Sequence, residues 1–352
     1  MNTAKTIVYV GDTSPGRTSF HRMNALKALG HVVININQYA VLEGTWARLM
    51  VKVMSRLGYP LDSAKINAQI LEKLDAEHID ILWLDKPLTV IPATLQAVKE
   101  KMPWTQIVAY SPDDMLNPRN QSRYHQACLP LIDVYFTTKS FHVEELRDKG
   151  CSSVFFVPNA YDKNSHKPVA LSPEERSRWG GRVGFIGGYE VERFNSLLYL
   201  ACANVPIRIR GSFWERVPTR HPNLQIEIGD LGDYNYAKAI TATDINLCFL
   251  RKVNRDLQTT RSIEIPACGG FMLAERTDEH LALFEEGKEA EFFSSNDEML
   301  GKINYFLANP DKRQRIAEAG RKRCIDSGYS NEDRLKVLLD LLGNNACSLK
   351  KR

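Results

Sequence analysis

Two carboxylates, Asp256 and Glu264, stand with seven residues between them in the stretch Asp256-Leu-Gln-Thr-Thr-Arg-Ser-Ile-Glu264-Ile-Pro-Ala-Cys-Gly269-Gly270. An apolar run follows, so the stretch reads as a helix, a glycine break and a buried strand. A helix opening just after Asp256 aims its unpaired N–H groups, and the positive end of its dipole, at a diphosphate. Glu264, about two turns along a helix that starts near Leu257, is placed to accept hydrogen bonds from sugar hydroxyls. Thr260 and Arg261 lie between the carboxylates, and Gly269 and Gly270 allow close approach to a ligand. The same residues also describe an ordinary helix with Asp256 as N-cap and Gly269 as C-cap.

Other residues suit the same chemistry. Gly187 and Gly188 follow an apolar run and precede Arg193, whose guanidinium matches a diphosphate; the alternative is a tight strand-to-helix turn. Trp214 suits stacking on a nucleotide base, or a place in the core. Arg251 and Lys252 follow another apolar run and read as cations for a leaving diphosphate, or as solvated loop charges. In the first half, Asp113 and Asp114 suit activation of an acceptor hydroxyl, or an Asx turn. The loop 12–22 offers Gly16, Arg17 and His21 toward an acceptor or a phosphate, without the Gly-Lys-Ser/Thr ending of a P-loop. His166 reads as structural or solvent-exposed. No His/Cys ligand cluster is visible, so neither a metal nor a bound cofactor is expected.

These residues sit at the ends of a repeating strand–helix pattern. Strands are expected at 7–11, 31–35, 79–84, 106–110, 134–137 and 154–157, then at 183–188, 207–210, 224–228, 245–250 and 271–274, with helices between most of them. That is an α/β chain of two tandem, Rossmann-like, doubly wound domains, each with a parallel sheet. The expected divisions are 1–160, a linker at 161–181, a second domain at 182–326, and a C-terminal helix at 327–345 that packs back toward the first domain. At 352 residues the chain is long enough for two sizeable cores, and its 43% apolar and 25% charged content is that of a water-soluble globular protein. A net charge of +4, with no basic tract beyond Lys350-Lys351-Arg352, does not suggest nucleic-acid binding. Seven cysteines without a Cys-x-x-Cys pair, no leader and no membrane-length apolar run point to the cytoplasm. In 45–57, Trp46, Leu49, Met50, Val53, Met54 and Leu57 share one helical face and Arg48, Lys52 and Arg56 another; this is a membrane-contacting helix, or else core or an acceptor-groove wall.

The segment Arg261-x-x-Glu264-x-x-Ala267-Cys268-Gly269-Gly270 resembles the donor-site signature of GT-B glycosyltransferases, most closely the CgeB-type, spore-maturation-protein-like family. The similarity runs through Leu283-Phe284, Gly287, Asp297-Glu298 and Asn309-Pro310 to Ala319-Gly320, roughly residues 182 to 326. The Asp256/Glu264 spacing also matches the carboxylate pair of glycosyltransferase family 4, with Asp in place of the first Glu. The resemblance implies the GT-B architecture, with a cleft between the domains. It implies transfer of a sugar from a nucleotide-diphosphate sugar to an acceptor hydroxyl of a glycan, small molecule or protein, metal-independent and with retention. A nucleotide-sugar epimerase or hydrolase, or a non-catalytic nucleotide-sugar binder, remains an alternative.

Overall fold

The computed structural model describes residues 4–39, 45–76 and 78–349, and the terminal basic tract 350–352 lies outside them. The chain forms two units, one of residues 1–158 with 331–352 and one of residues 159–330. The segment 161–181, expected as a linker, is folded into the second unit. There Ser172 caps the helix Pro173–Trp179 and Lys238 binds Glu175.

The first unit carries β1 (Thr6–Gly11), β2 (Val32–Asn37), β3 (Ile81–Asp85), β4 (Gln106–Ser111), β5 (Val134–Thr137) and β6 (Val154–Phe156). They pair in parallel in the order β2-β1-β3-β4-β5-β6. Strand periodicity splits each one between two cores. Val8, Val10, Leu82, Leu84, Ile107 and Ala109 face one core, while Ile7, Tyr9, Ile81, Trp83, Val108 and Tyr110 face the other. The second of these cores also takes Leu335, Leu338, Leu339 and Leu342 from the C-terminal helix Asn331–Leu349. Each buried leucine of that helix contributes about 1.5–3 kcal/mol, which is what holds it on the sheet.

The second unit carries β7 (Gly181–Ile186), β8 (Ile207–Gly211), β9 (Leu224–Ile228), β10 (Thr243–Cys248), β11 (Met272–Glu275) and β12 (Glu291–Phe293). They form a parallel sheet in the order β12-β11-β10-β7-β8-β9. Val183, Phe185, Ile245 and Leu247 fill one face, and Cys248, Met272 and Ala274 the other. In each sheet the strand order reverses beside the first strand, between β1 and β3 and between β7 and β10. Ligands of open α/β sheets bind outside the strand carboxyl ends at such reversals.

Candidate functional site

In the second unit, Gly187 and Gly188 carry the chain from β7 to the helix Val191–Cys202. The Gly187 N–H donates to the Arg210 carbonyl at 2.8 Å, and its own carbonyl accepts from Trp214 Nε1 at 2.8 Å. Gly211 passes so near that a Cβ there would stand 2.1 Å from the Gly187 oxygen, so only glycine fits. Trp214 is therefore a core residue, 1% exposed and edge-on to Phe185 and Tyr189, and does not present a face to a base. The signal that it is core lay in its partners, which are distant in sequence.

Two arginines meet at the β7–β10 reversal. Arg193, 4% exposed, donates from Nη1 to the Gly188 carbonyl at 3.1 Å and from Nη2 to the Phe249 carbonyl at 3.4 Å. Arg261 donates from Nη2 to the same Phe249 oxygen at 3.1 Å. Their guanidinium carbons lie 5.6 and 5.8 Å from the Phe185 ring centroid. The Nε of each is buried without a hydrogen-bond partner. Glu190 stands 3.9 Å from Arg193 and accepts from Arg251 at 2.8 Å. Burial, and next the Arg261 guanidinium, push Arg193 down to about 10, more than Glu190 restores. Beside Arg193 opens a cavity of about 310 Å³, lined by Arg193, Ser196, Phe249, Lys252, the acids Glu192 and Glu275 and residues 294–296, while Arg261 is not among its lining residues. Lys252 reaches across it to Glu275. Excess positive charge, partly desolvated and with unused donors, is an arrangement that takes up an anion.

The helix that bears Arg261 begins later than its sequence suggests. It spans Arg261–Ala267 with Thr260 at the N-cap position, so Glu264 lies in the first turn rather than two turns in. Asp256 is outside it, accepting from Asn254 Nδ2 at 2.6 Å and the Arg251 N–H at 3.4 Å. The cause is the buried Gln258, whose side chain accepts from the Asn159 N–H at 3.0 Å and donates to Glu279 at 2.8 Å, holding the chain out of a helix. Ser262 then accepts from the Thr259 N–H at 3.0 Å and donates to His280 Nε2 at 2.7 Å, which starts the helix there. Glu264 accepts from the Tyr236 hydroxyl at 3.0 Å and lies 3.9 Å from His166 Nε2. Burial, then the Glu264 charge, raise Tyr236 well above its usual value, so the phenol stays a donor. Tyr236 went unnoticed in the sequence, and His166 is buried beside Glu264 rather than exposed. At the helix's far end, the space over Gly269 and Gly270 is taken by Pro168, Ile240 and Asn246, so these glycines serve a C-cap and close packing, not a ligand.

In the first unit, a cavity of about 380 Å³ lies at the β1–β3 reversal, lined by Gly16, Arg17, Arg22, Asp85, Lys86 and Asp113 among others. Arg22 donates to both Asp85 oxygens, at 2.7 and 3.0 Å, and lies 4.2 Å from the Tyr110 ring centroid. Burial lowers the Arg22 pKa, but Asp85, Tyr110 and Tyr9 outweigh it and the pKa ends raised. Lys86, in left-handed backbone at φ 54°, donates to Asp113 at 2.5 Å. Arg17 stands 3.7 Å from Asp12. Asp114 does not face the cavity: it is 2% exposed, accepting from His142 Nε2 at 2.8 Å and from the Leu116 and Asn117 N–H groups. That is the Asx turn, and it leaves Asp113 as the partly exposed member of the pair. His21 is buried on the helix Thr18–Ala28 and is not among the cavity's lining residues. Arg22, Asp85 and Lys86 are the residues that sequence reading passed over.

Residues 193–340 match the family model described as "Glycosyl transferase-like". No curated protein matches the chain in sequence. Among solved structures, sucrose-phosphate synthase from Thermosynechococcus elongatus superposes with a TM-score of 0.67 at 13% identity, covering 98% of this chain and 100% of that one. HepE of Anabaena, solved with UDP-glucose, gives 0.62 at 14% identity, covering 97% and 100%. A glycosyltransferase from Rickettsia africae gives 0.61 at 14%, covering 98% and 99%. The chain has the GT-B fold, and the part of it that matches the glycosyl transferase-like model lies mostly in the second unit.

Proposed function

We propose that the chain moves a sugar from a nucleotide-diphosphate sugar to an acceptor hydroxyl, and that the β7–β10 reversal holds the donor diphosphate. One observation carries this reading: Arg193 and Arg261 sit together inside the glycosyl transferase-like domain, hydrogen-bonded to carbonyl oxygens and with buried, unused Nε donors. UDP-glucose bound to the structural neighbour makes uridine diphosphate the first donor nucleotide to try. The kinship with the CgeB-type family rests on Arg261, Glu264, Ala267, Cys268, Gly269 and Gly270.

In the transfer, the acceptor hydroxyl gives up its proton to Asp113 and its oxygen forms a bond to the anomeric carbon, on the same face from which the bond to the phosphate oxygen breaks. The nucleoside diphosphate leaves with the electron pair, and the arginines stabilise its new charge where water is excluded. Glu264, fixed by Tyr236, is the acceptor for a donor-sugar hydroxyl. Guanidinium groups do the work of a divalent ion, so turnover persists in EDTA. The Asp256/Glu264 spacing favours retention of configuration.

Asp113, held by Lys86 at the first unit's cavity, is assigned to the acceptor hydroxyl. Asp113→Asn is expected to cut turnover by about 10²–10⁴-fold, the usual range for a general base, while donor affinity stays within about twofold. Parallel turnover and calorimetric titrations on one preparation separate the outcomes. Equal loss of both would put Asp113 on the donor. Release of free or epimerised sugar from donor alone, as fast as transfer, would favour a hydrolase or epimerase.

A further inference from the structure

The helix Thr45–Arg56 turns its apolar side away from the protein. Trp46 is 81% exposed, Met50 52%, Leu49 49% and Val53 42%, and their spacing puts them on one stripe. Leu57, just past the helix, continues it at 59%. Val51 and Met54, partly buried, mark the inward side. A surface helix of a water-soluble fold shows the reverse arrangement, and a contiguous exposed stripe of this kind marks a binding surface.

Charge decides what binds there. The helix sequence Thr-Trp-Ala-Arg-Leu-Met-Val-Lys-Val-Met-Ser-Arg contains three cations and no acid. Lys52 and Arg56 are exposed and fall beside Leu49 on the helical wheel, so basic groups border the apolar stripe. A second copy of the chain packed isologously on this face would set those cations against their own kind. An anionic lipid surface satisfies both features at once. The apolar side chains enter the acyl boundary, Trp46 sits at headgroup depth, and the lysine and arginine extend to the phosphates. No helix among the described residues is long and apolar enough to cross a membrane, so such a contact would lie in the plane of the interface. We propose that this helix docks the protein on anionic bilayers, a property independent of the sugar chemistry.

The test is co-sedimentation of the full chain with phosphatidylcholine vesicles, with and without about a third phosphatidylserine. Binding is expected only with the anionic lipid, falling as salt rises. The double variant Leu49→Glu/Val53→Glu should lose at least about tenfold in affinity, and Lys52→Gln about fivefold, the usual weight of one basic residue at such a surface. These side chains are exposed, so circular dichroism should show an unchanged fold. Equal binding to both vesicle types, no binding to either, or an unaffected double variant would overturn the proposal. So would a wild-type dimer that the double variant converts to monomer, because a second copy would then be the occupant.

Discussion

At the β1–β3 reversal, Arg22 gives two hydrogen bonds to Asp85, Lys86 is tied to Asp113 and Arg17 stands beside Asp12. At the β7–β10 reversal, Arg193 and Arg261 are hydrogen-bonded to main-chain carbonyls, and the nearby Glu190 is bound to Arg251. The two sheets offer the same topological position and equip it differently. Charges matched one to one suit a neutral hydroxyl ligand, because no net field favours an ion. Guanidinium groups packed against each other raise the protein's free energy until an anion arrives. On the proposed function, the second arrangement stores in the free protein part of what would become affinity for a diphosphate.

The sharpest way to break this contrast is to remove one carboxylate. Asp85→Ala should destabilise the protein by about 3–5 kcal/mol, because it leaves the buried Arg22 uncompensated. Denaturant unfolding followed by circular dichroism measures it, and a loss below about 1 kcal/mol would mean the pair is not doing structural work.

The second effect is smaller and concerns pH. On the proposed function a diphosphate binds the charged form of Arg193, whose pKa burial and Arg261 push down to about 10. Affinity for UDP should therefore hold below that pH and fall by about tenfold for each unit above it, as a proton must then be taken up on binding. Titrations from pH 8 to 11 check the sign through the ratio of UDP to uridine affinity, because the uracil N3 proton leaves both ligands in this window; a ratio that stays flat across pH 10 contradicts it. The smallest effect runs the other way. Glu190→Gln removes a carboxylate from the anion's surroundings and should tighten UDP binding by about threefold at low salt. Weaker binding would make Glu190 a ligand-orienting group instead.

Much of this was legible in the sequence. Apolar runs gave every strand except β12, whose three residues include the acidic Glu291, buried against Lys302. The Gly187–Arg193 turn and the Arg261–Glu264 segment were identifiable because their residue types are local signals. What escaped was set by partners far along the chain. Gln258 delays the helix through Asn159 and Glu279, Trp214 is drawn inward by Gly187, and Arg22 finds Asp85 across 63 positions. Periodicity carries no record of such pairings, and a polar side chain reads alike whether it meets a ligand or its own fold. Asp113 and Asp114 illustrate this, since adjacent identical residues point one to a cavity and the other into a turn.

On the proposed function, the arginines of the second unit grip a diphosphate. Isothermal titration of the wild type and Arg261→Ala with UDP and with uridine tests it most directly. The wild type is expected to prefer UDP to uridine by roughly a hundredfold or more. Arg261→Ala, still folded, is expected to lose about ten- to a hundredfold for UDP, the worth of one hydrogen bond to a charged group, and nothing for uridine. Equal affinities of the wild type for UDP and uridine, or an Arg261→Ala protein that binds UDP as tightly as the wild type, would contradict it.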